Sequence, residues 1–267
     1  MFTLLQRRRF APRLWAVLAW LAVAGAMVAL GRWQLVRADE KIALLEAAET
    51  ARASAPVDVR SLGDADGAVA AAAAYRRVRA EGRWLPRRQF LWDNRAHRGR
   101  PGLEVVTPLV LDDGRAVLVD RGWMPLPRRR EALPGVGVEA GARVRLVGLA
   151  SRPSRGFAGG PAFVEGAPWP RWLQWFDYDA ISGALDRPLV PVVLQPERAA
   201  GAGAHPDLLV ENWTPAASGP EKHWSYAVQW FAMAAALTAL FVAVNLRPRP
   251  CARDAAPDLD NPPSDEP

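Results

Sequence analysis

The sequence predicts a membrane protein in which two transmembrane helices carry a β-rich extracytoplasmic domain, α+β in class and antiparallel barrel- or sandwich-like in build. Two uncharged apolar runs, Leu14–Leu30 and Tyr226–Leu246, predict the helices, and a series of short strand-like segments between them predicts the domain. The chain has 267 residues, room for one ordinary domain and its anchors. Half the residues are hydrophobic while the mean hydropathy is only -0.06, so the apolar content has to be concentrated, and it lies at the two ends.

Residues 1–13 form a basic stretch, with Arg7, Arg8, Arg9 and Arg13 ahead of the first run. The first span falls at 14–31, near the lower end of the roughly 17–25 residues that cross a hydrocarbon core. A cleaved signal peptide is the competing reading, because small residues such as Ala22, Ala24 and Ala26 follow the arginines and Arg8-Arg9-Phe10 hints at a twin-arginine signal. A retained helix is favoured, since the run outlasts a usual signal core and continues into Trp33-Gln34-Leu35. The second span falls at 225–246 and is long enough to cross outright. Arg247 and Arg249 follow it as the other arginines precede the first span, so the positive-inside rule puts both termini in the cytoplasm and residues 32–224 outside. Residues 247–267 are rich in Pro and Asp and poor in apolar side chains, which predicts a disordered cytoplasmic tail. The Arg- and Ala-rich composition and short start favour a bacterial inner membrane over a mitochondrial one.

After the first span, Leu35, Ile42, Leu44 and Leu45 predict a helix to about Ala53, continuous with the span. Residues 64–74 are Ala-rich but interrupted by Gly63 and Gly67, and read as a short helix or a loop. Strands are expected at Tyr75–Glu81, Gln89–Asp93, Leu103–Leu111, Arg115–Trp123, Arg143–Ala150, Leu189–Gln195 and Leu208–Trp213, with a helical turn at Asp177–Leu185. Asp112-Asp113-Gly114 between two apolar runs marks a hairpin, its glycine supplying the positive φ of a tight turn. Trp84 reads as a core residue and Trp33 as an interface anchor.

The net charge of +6 gives no nucleic-acid footprint, because the arginines are spread along the chain without a recognisable binding module. One cysteine, Cys251, excludes an internal disulfide. Three distant histidines (His97, His205, His223) and four methionines exclude a copper or zinc carrier of ordinary ligand spacing. His97 and His205 read as solvated loop residues. No nucleophile has a recognisable setting, and Gly159-Gly160 runs into Pro161 instead of a helix start, so no enzyme is expected.

Four segments carry a family signal. They are Leu30-Gly31-Arg32-Trp33-Gln34 with Arg37 and Lys41; Trp92-Asp93-Asn94-Arg95 through Gly99-Arg100-Pro101-Gly102 to Val106-Thr107-Pro108-Leu109; Val117-Leu118-Val119-Asp120-Arg121-Gly122-Trp123-Met124-Pro125; and His223-Trp224-Ser225-Tyr226-Ala227-Val228-Gln229-Trp230-Phe231. In this order and topology the chain resembles the surfeit-locus-one family of cytochrome c oxidase assembly proteins. Where that family often has an Asn pair before the histidine, Glu221 and Lys222 stand here, so no Asn side chain is in place there to orient the imidazole. The resemblance implies transient handling of haem a for oxidase subunit I, with haem A synthase and the lipid bilayer as further partners. The alternative it leaves open is a scaffold for nascent subunit I that never touches haem.

Within that resemblance His223 is the candidate axial ligand of haem iron, with Tyr226 and Trp230 beside it. At 100° per residue Ala227, Trp230 and Ala234 share its stripe, where a flat ring could rest; the same small residues, with Gly25 and Ala29, equally suit close helix packing. An ordinary aromatic belt around His223 is the bland alternative. Asp93 with Arg95, and Asp120 with Arg121 and Trp123, read as ion pairs locking strand ends, although Arg95 and Arg121 could instead grip propionates.

Overall fold

The computed structural model describes residues 8–62, 75–127, 136–139, 141, 143–153, 159–197, 208–214 and 219–248. In chain order the elements are β1 (Arg8–Phe10), α1 (Leu14–Ala53), β2 (Val57–Asp58) with a 3-10 turn at Val59–Ser61, β3 (Arg76–Trp84), β4 (Phe90–His97), β5 (Arg100–Leu111), β6 (Ala116–Pro125), β7 (Arg143–Ser151), β8 (Arg171–Leu173), α2 (Tyr178–Leu185), β9 (Leu189–Pro196), α3 (Pro220–Asn245) and β10 (Leu246–Pro248). They fall into two compact units, one of residues Met1–Glu40 with Ser218–Pro267 and one of Lys41–Ala217.

The first unit is a helix pair. Both α1 and α3 are long and apolar enough to cross a membrane. The 26 residues of α3 reach about 39 Å at 1.5 Å per residue, more than a hydrocarbon core of about 30 Å. It opens with Pro220 at its first position, where a missing N–H costs nothing. Ala, Leu, Arg and Glu sustain α1 as one helix, which stops just ahead of Ser54-Ala55-Pro56 because a residue before proline avoids the helical region. β1 pairs antiparallel with β10, and Ala11 N–H donates to Asn245 at 3.1 Å, so the start of α1 and the end of α3 lie together. This corrects the expectation of a structureless tail at Arg247 and Pro248; residues 249–267 lie outside the described ones, as do 64–74, His205 and Cys251. Across the pair Trp20 Nε1 donates to Thr238 Oγ1 at 3.2 Å and its ring stacks on Phe241.

The second unit is built on an eight-stranded sheet in the order β2-β3-β7-β9-β6-β5-β4-β8. Because β3 also pairs with β5, the strands β3, β7, β9, β6 and β5 close into a barrel. The antiparallel expectation is corrected in part: β2–β3, β4–β8 and β6–β9 are parallel, so the sheet is mixed. Parallel neighbours need long connections, and β6–β9 is separated by the whole β7–α2 stretch. The predicted hairpin is present, with Gly114 at φ 84 between β5 and β6. The expected strand at Leu208–Trp213 is reduced to one bridge, Val210 to Trp123, with Leu209 N–H donating to the Arg121 carbonyl at 2.7 Å.

Side-chain alternation explains why several strands read as unbroken apolar runs. Val117 and Val119 enter the barrel core with Trp84, Leu109 and Leu194, while Leu118 and Val193 point outwards into a second core under α2 with Phe90, Phe176 and Ile181. A strand covered on both faces has no polar side to show. Asp177 caps α2 by accepting from Ala180 N–H at 3.1 Å.

Closure of the barrel depends on Gly82, which pairs with both Leu111 and Val144. A Cβ at this position would collide with the Val110 carbonyl oxygen. Gly82→Val is therefore expected to open the β3–β5 seam at a cost of about 3 kcal/mol, the upper end for overpacking. Chemical unfolding of the full chain in detergent reads this directly, and an unchanged midpoint would refute it.

Candidate functional site

The apolar stripe of α3 begins with His223, one turn inside the helix that Pro220 starts. His223 Nδ1 lies 2.8 Å from Gln34 Oε1 on α1, which joins the first and last of the four sequence motifs. His223 Nε2 is buried and has no hydrogen-bond partner among the described residues. Such an orphaned polar atom costs about 1–3 kcal/mol, which the fold tolerates only for a reason. Further along the stripe Ala227 and Ala234 are 1% and 8% exposed. Both are buried in the helix pair, and Ala234 also lines an apolar cleft of about 910 Å³ with Trp20, Gly25 and Thr238. Gly31 shows how close the helices come: a Cβ there would sit 2.7 Å from Phe231 Cε1. Trp230 is half-buried and Tyr226 exposed. Trp33 is exposed as well, with the Arg37 guanidinium 5.7 Å from its ring centre.

In the second unit, the two Asp–Arg motifs are β-bulges. The register of β4 against β5 slips between Trp92 and Arg95, where Asn94 has φ 57, and that of β6 against β5 slips between Asp120 and Trp123, where Gly122 has φ 117. Each bulge re-aims one side chain towards the same residue of β5, Glu104. Arg95 Nε is 3.1 Å from Glu104 Oε2, and its guanidinium also lies 4.0 Å above Trp92. Glu104 Oε1 accepts from Asn212 Nδ2 at 3.0 Å, and Asn212 Oδ1 meets His97 Nδ1 at 2.8 Å. The His97 ring lies against Trp123, whose Nε1 donates to the Arg95 carbonyl at 3.0 Å.

Asp120 completes the network. Its Oδ1 accepts from Gly122 N–H at 3.0 Å, and its carboxyl is buried beside that of Glu104. Burial, reinforced by the negative charge of Glu104, pushes the Asp120 carboxyl well above the usual carboxylate range. Glu104 and Asp120 are both buried, and Asp120 with Asn212 lines a cleft of about 430 Å³ whose other walls include Arg52, Glu211 and Trp213.

Residues 21–235, a span that takes in the helix-pair histidine, its glutamine and both bulges, match the model of the SURF1 family. The chain belongs to the SURF1 family. It is 33% identical to SURF1-like proteins of Mycobacterium bovis and Mycobacterium tuberculosis over 153 residues, 50% of this chain and 55% of theirs. The chain thus spans about half the length of these mycobacterial relatives. A SURF1-like protein of Monosiga brevicollis is 25% identical over 245 residues, 85% of each chain.

The SURF1 motifs are used differently from the ion pairs expected of them. Arg95 forms its ion pair with Glu104 and not with Asp93, because the Asn94 bulge separates the two; Asp93 instead accepts from Asn94 N–H at 2.8 Å. Arg121 does not lock Asp120: its Nη1 donates to the Val136 carbonyl at 2.6 Å. His97 is not a solvated loop residue, since it ends β4 and is held by Asn212 and Trp123. Sequence reasoning missed Glu104 and Asn212. Glu104 left one signal, a lone acid inside the apolar run Leu103–Leu111; Asn212 left none.

Proposed function

We propose that this SURF1 protein is a cytochrome c oxidase assembly factor of a bacterial inner membrane, a holder and not an enzyme, that keeps haem a for transfer into oxidase subunit I, with haem A synthase as a further partner. Family membership supports the assembly role, and one observation supports haem: the buried, unpartnered Nε2 of His223. When bound, haem supplies an iron that takes a neutral imidazole nitrogen as axial ligand. His223 is the residue that would hold it. Because Nε2 has no open face in this state, ligation requires the surrounding side chains to part, which lowers affinity and suits a protein that must release its cargo. Trp33 and Tyr226, both exposed on the helix pair, anchor it at the membrane–water boundary.

The closed Nε2 face also favours a second reading, a scaffold that binds nascent subunit I without haem. Purification from cells that make haem a separates the two. A Soret band at stoichiometry near one haem per chain is expected; colourless protein that still captures subunit I would leave only the scaffold.

A further inference from the structure

We propose that Gln34 is the positioning residue for His223, choosing which imidazole nitrogen is offered to a ligand; this rests on the haem-holding reading above. A neutral imidazole has one N–H and one lone pair. The Gln34 Oε1 that faces Nδ1 at 2.8 Å is an acceptor only, so the proton sits on Nδ1 and the lone pair on Nε2. Nε2 is the nitrogen left buried without a partner. A proton on Nε2 would bury a donor with nothing to receive it, while the Gln34 oxygen would face a lone pair. Both groups would then be unsatisfied together.

The same bond orients the ring. Glu221 and Lys222 precede His223 in α3 and are exposed, so the hydrogen bond that fixes the imidazole comes across the pair from α1. Gly31, three residues before Gln34 and hence on a neighbouring part of the same face, admits the Phe231 ring where any side chain would keep the helices apart. The close approach and the hydrogen bond are therefore one device: the ligand nitrogen is prepared only while the two helices are packed. Partners that hold the second ring nitrogen of a metal-binding histidine fix its tautomer and raise its basicity, and their loss costs about 10–100-fold in affinity.

The test uses the full chain in nanodiscs with 15N-labelled histidine, the probe being ferric haem b and then haem a. Without haem, the 15N imidazole shifts of His223 are expected to report the Nδ1–H tautomer in the wild type and a mixture in Gln34→Leu. With haem, Gln34→Leu is expected to bind about 10–100-fold more weakly. Gln34→Glu keeps the acceptor and should restore binding with a higher iron–histidine stretching frequency. An Nε2–H tautomer in the wild type, or shifts unchanged in Gln34→Leu when circular dichroism shows the helices intact, overturns the assignment of Gln34. Haem binding undiminished in His223→Ala overturns the haem reading instead, and the apo-protein shifts still decide the role of Gln34.

Discussion

Glu104→Ala is expected to destabilise the barrel by about 3–5 kcal/mol, a large share of the roughly 5–15 kcal/mol that holds a domain together. The carboxylate pairs with Arg95, accepts from Asn212 and lies beside the Asp120 carboxyl, and it is fully buried. Its removal strands a guanidinium and a buried acid at one point. Asp120→Asn is expected to act in the opposite direction. The amide keeps the acceptor for Gly122 N–H and removes the titrating acid that is buried beside Glu104. The raised pKa of Asp120 means that the native state keeps its proton at pH values where the unfolded chain, with its ordinary value of 3.8, has lost it. The native state then binds more protons, so wild-type stability falls as pH rises from about 4 towards the folded value. Below that window the contribution is fully present. Asp120→Asn removes the fall and should be the more stable protein at neutral pH. Urea unfolding in detergent from pH 4 to 9 measures both; parallel curves for wild type and Asp120→Asn would show that the Asp120 carboxyl is not raised.

His223→Ala is expected to abolish haem copurification while the protein still inserts and the barrel keeps its unfolding midpoint. Insertion depends on the length and apolarity of α3, which a change at its first turn leaves alone. The midpoint is unaffected because His223 belongs to the helix pair and the barrel forms a separate compact unit. Removing the imidazole also relieves the orphaned Nε2 and leaves Gln34 without its partner. Those two changes oppose one another, so the helix pair should shift by less than about 1 kcal/mol. A Soret band of wild-type height in His223→Ala would exclude this histidine as the ligand.

The sequence by itself determined the two long helices and the main barrel strands of this protein, while β1, β2, β8 and β10 were not expected. Leu14–Leu30 and Tyr226–Leu246 announce two spans because a bilayer demands uninterrupted apolar length, and β5, β6 and β9 announce themselves because strands buried on both faces leave runs such as Val117-Leu118-Val119. The hairpin turn was legible for a similar reason, since positive φ at Gly114 is a local requirement. Motif resemblance singled out Gln34, His223, Arg95 and Arg121, yet reading adjacent charges as pairs assigned the arginines to the neighbouring aspartates. Only the tertiary structure decided the pairings. Whether Arg95 meets Asp93 or Glu104 depends on a bulge that slips the register by one residue, and one residue is enough to turn a side chain to the other face. The parallel β6–β9 contact that helps to close the barrel, the bond from His97 to Asn212 115 positions away, and the bond from Gln34 to His223 189 positions away are likewise products of closure and helix pairing. Local propensity acts over a few residues and writes itself into the sequence there, whereas contacts made by folding distant segments together leave no mark at either end.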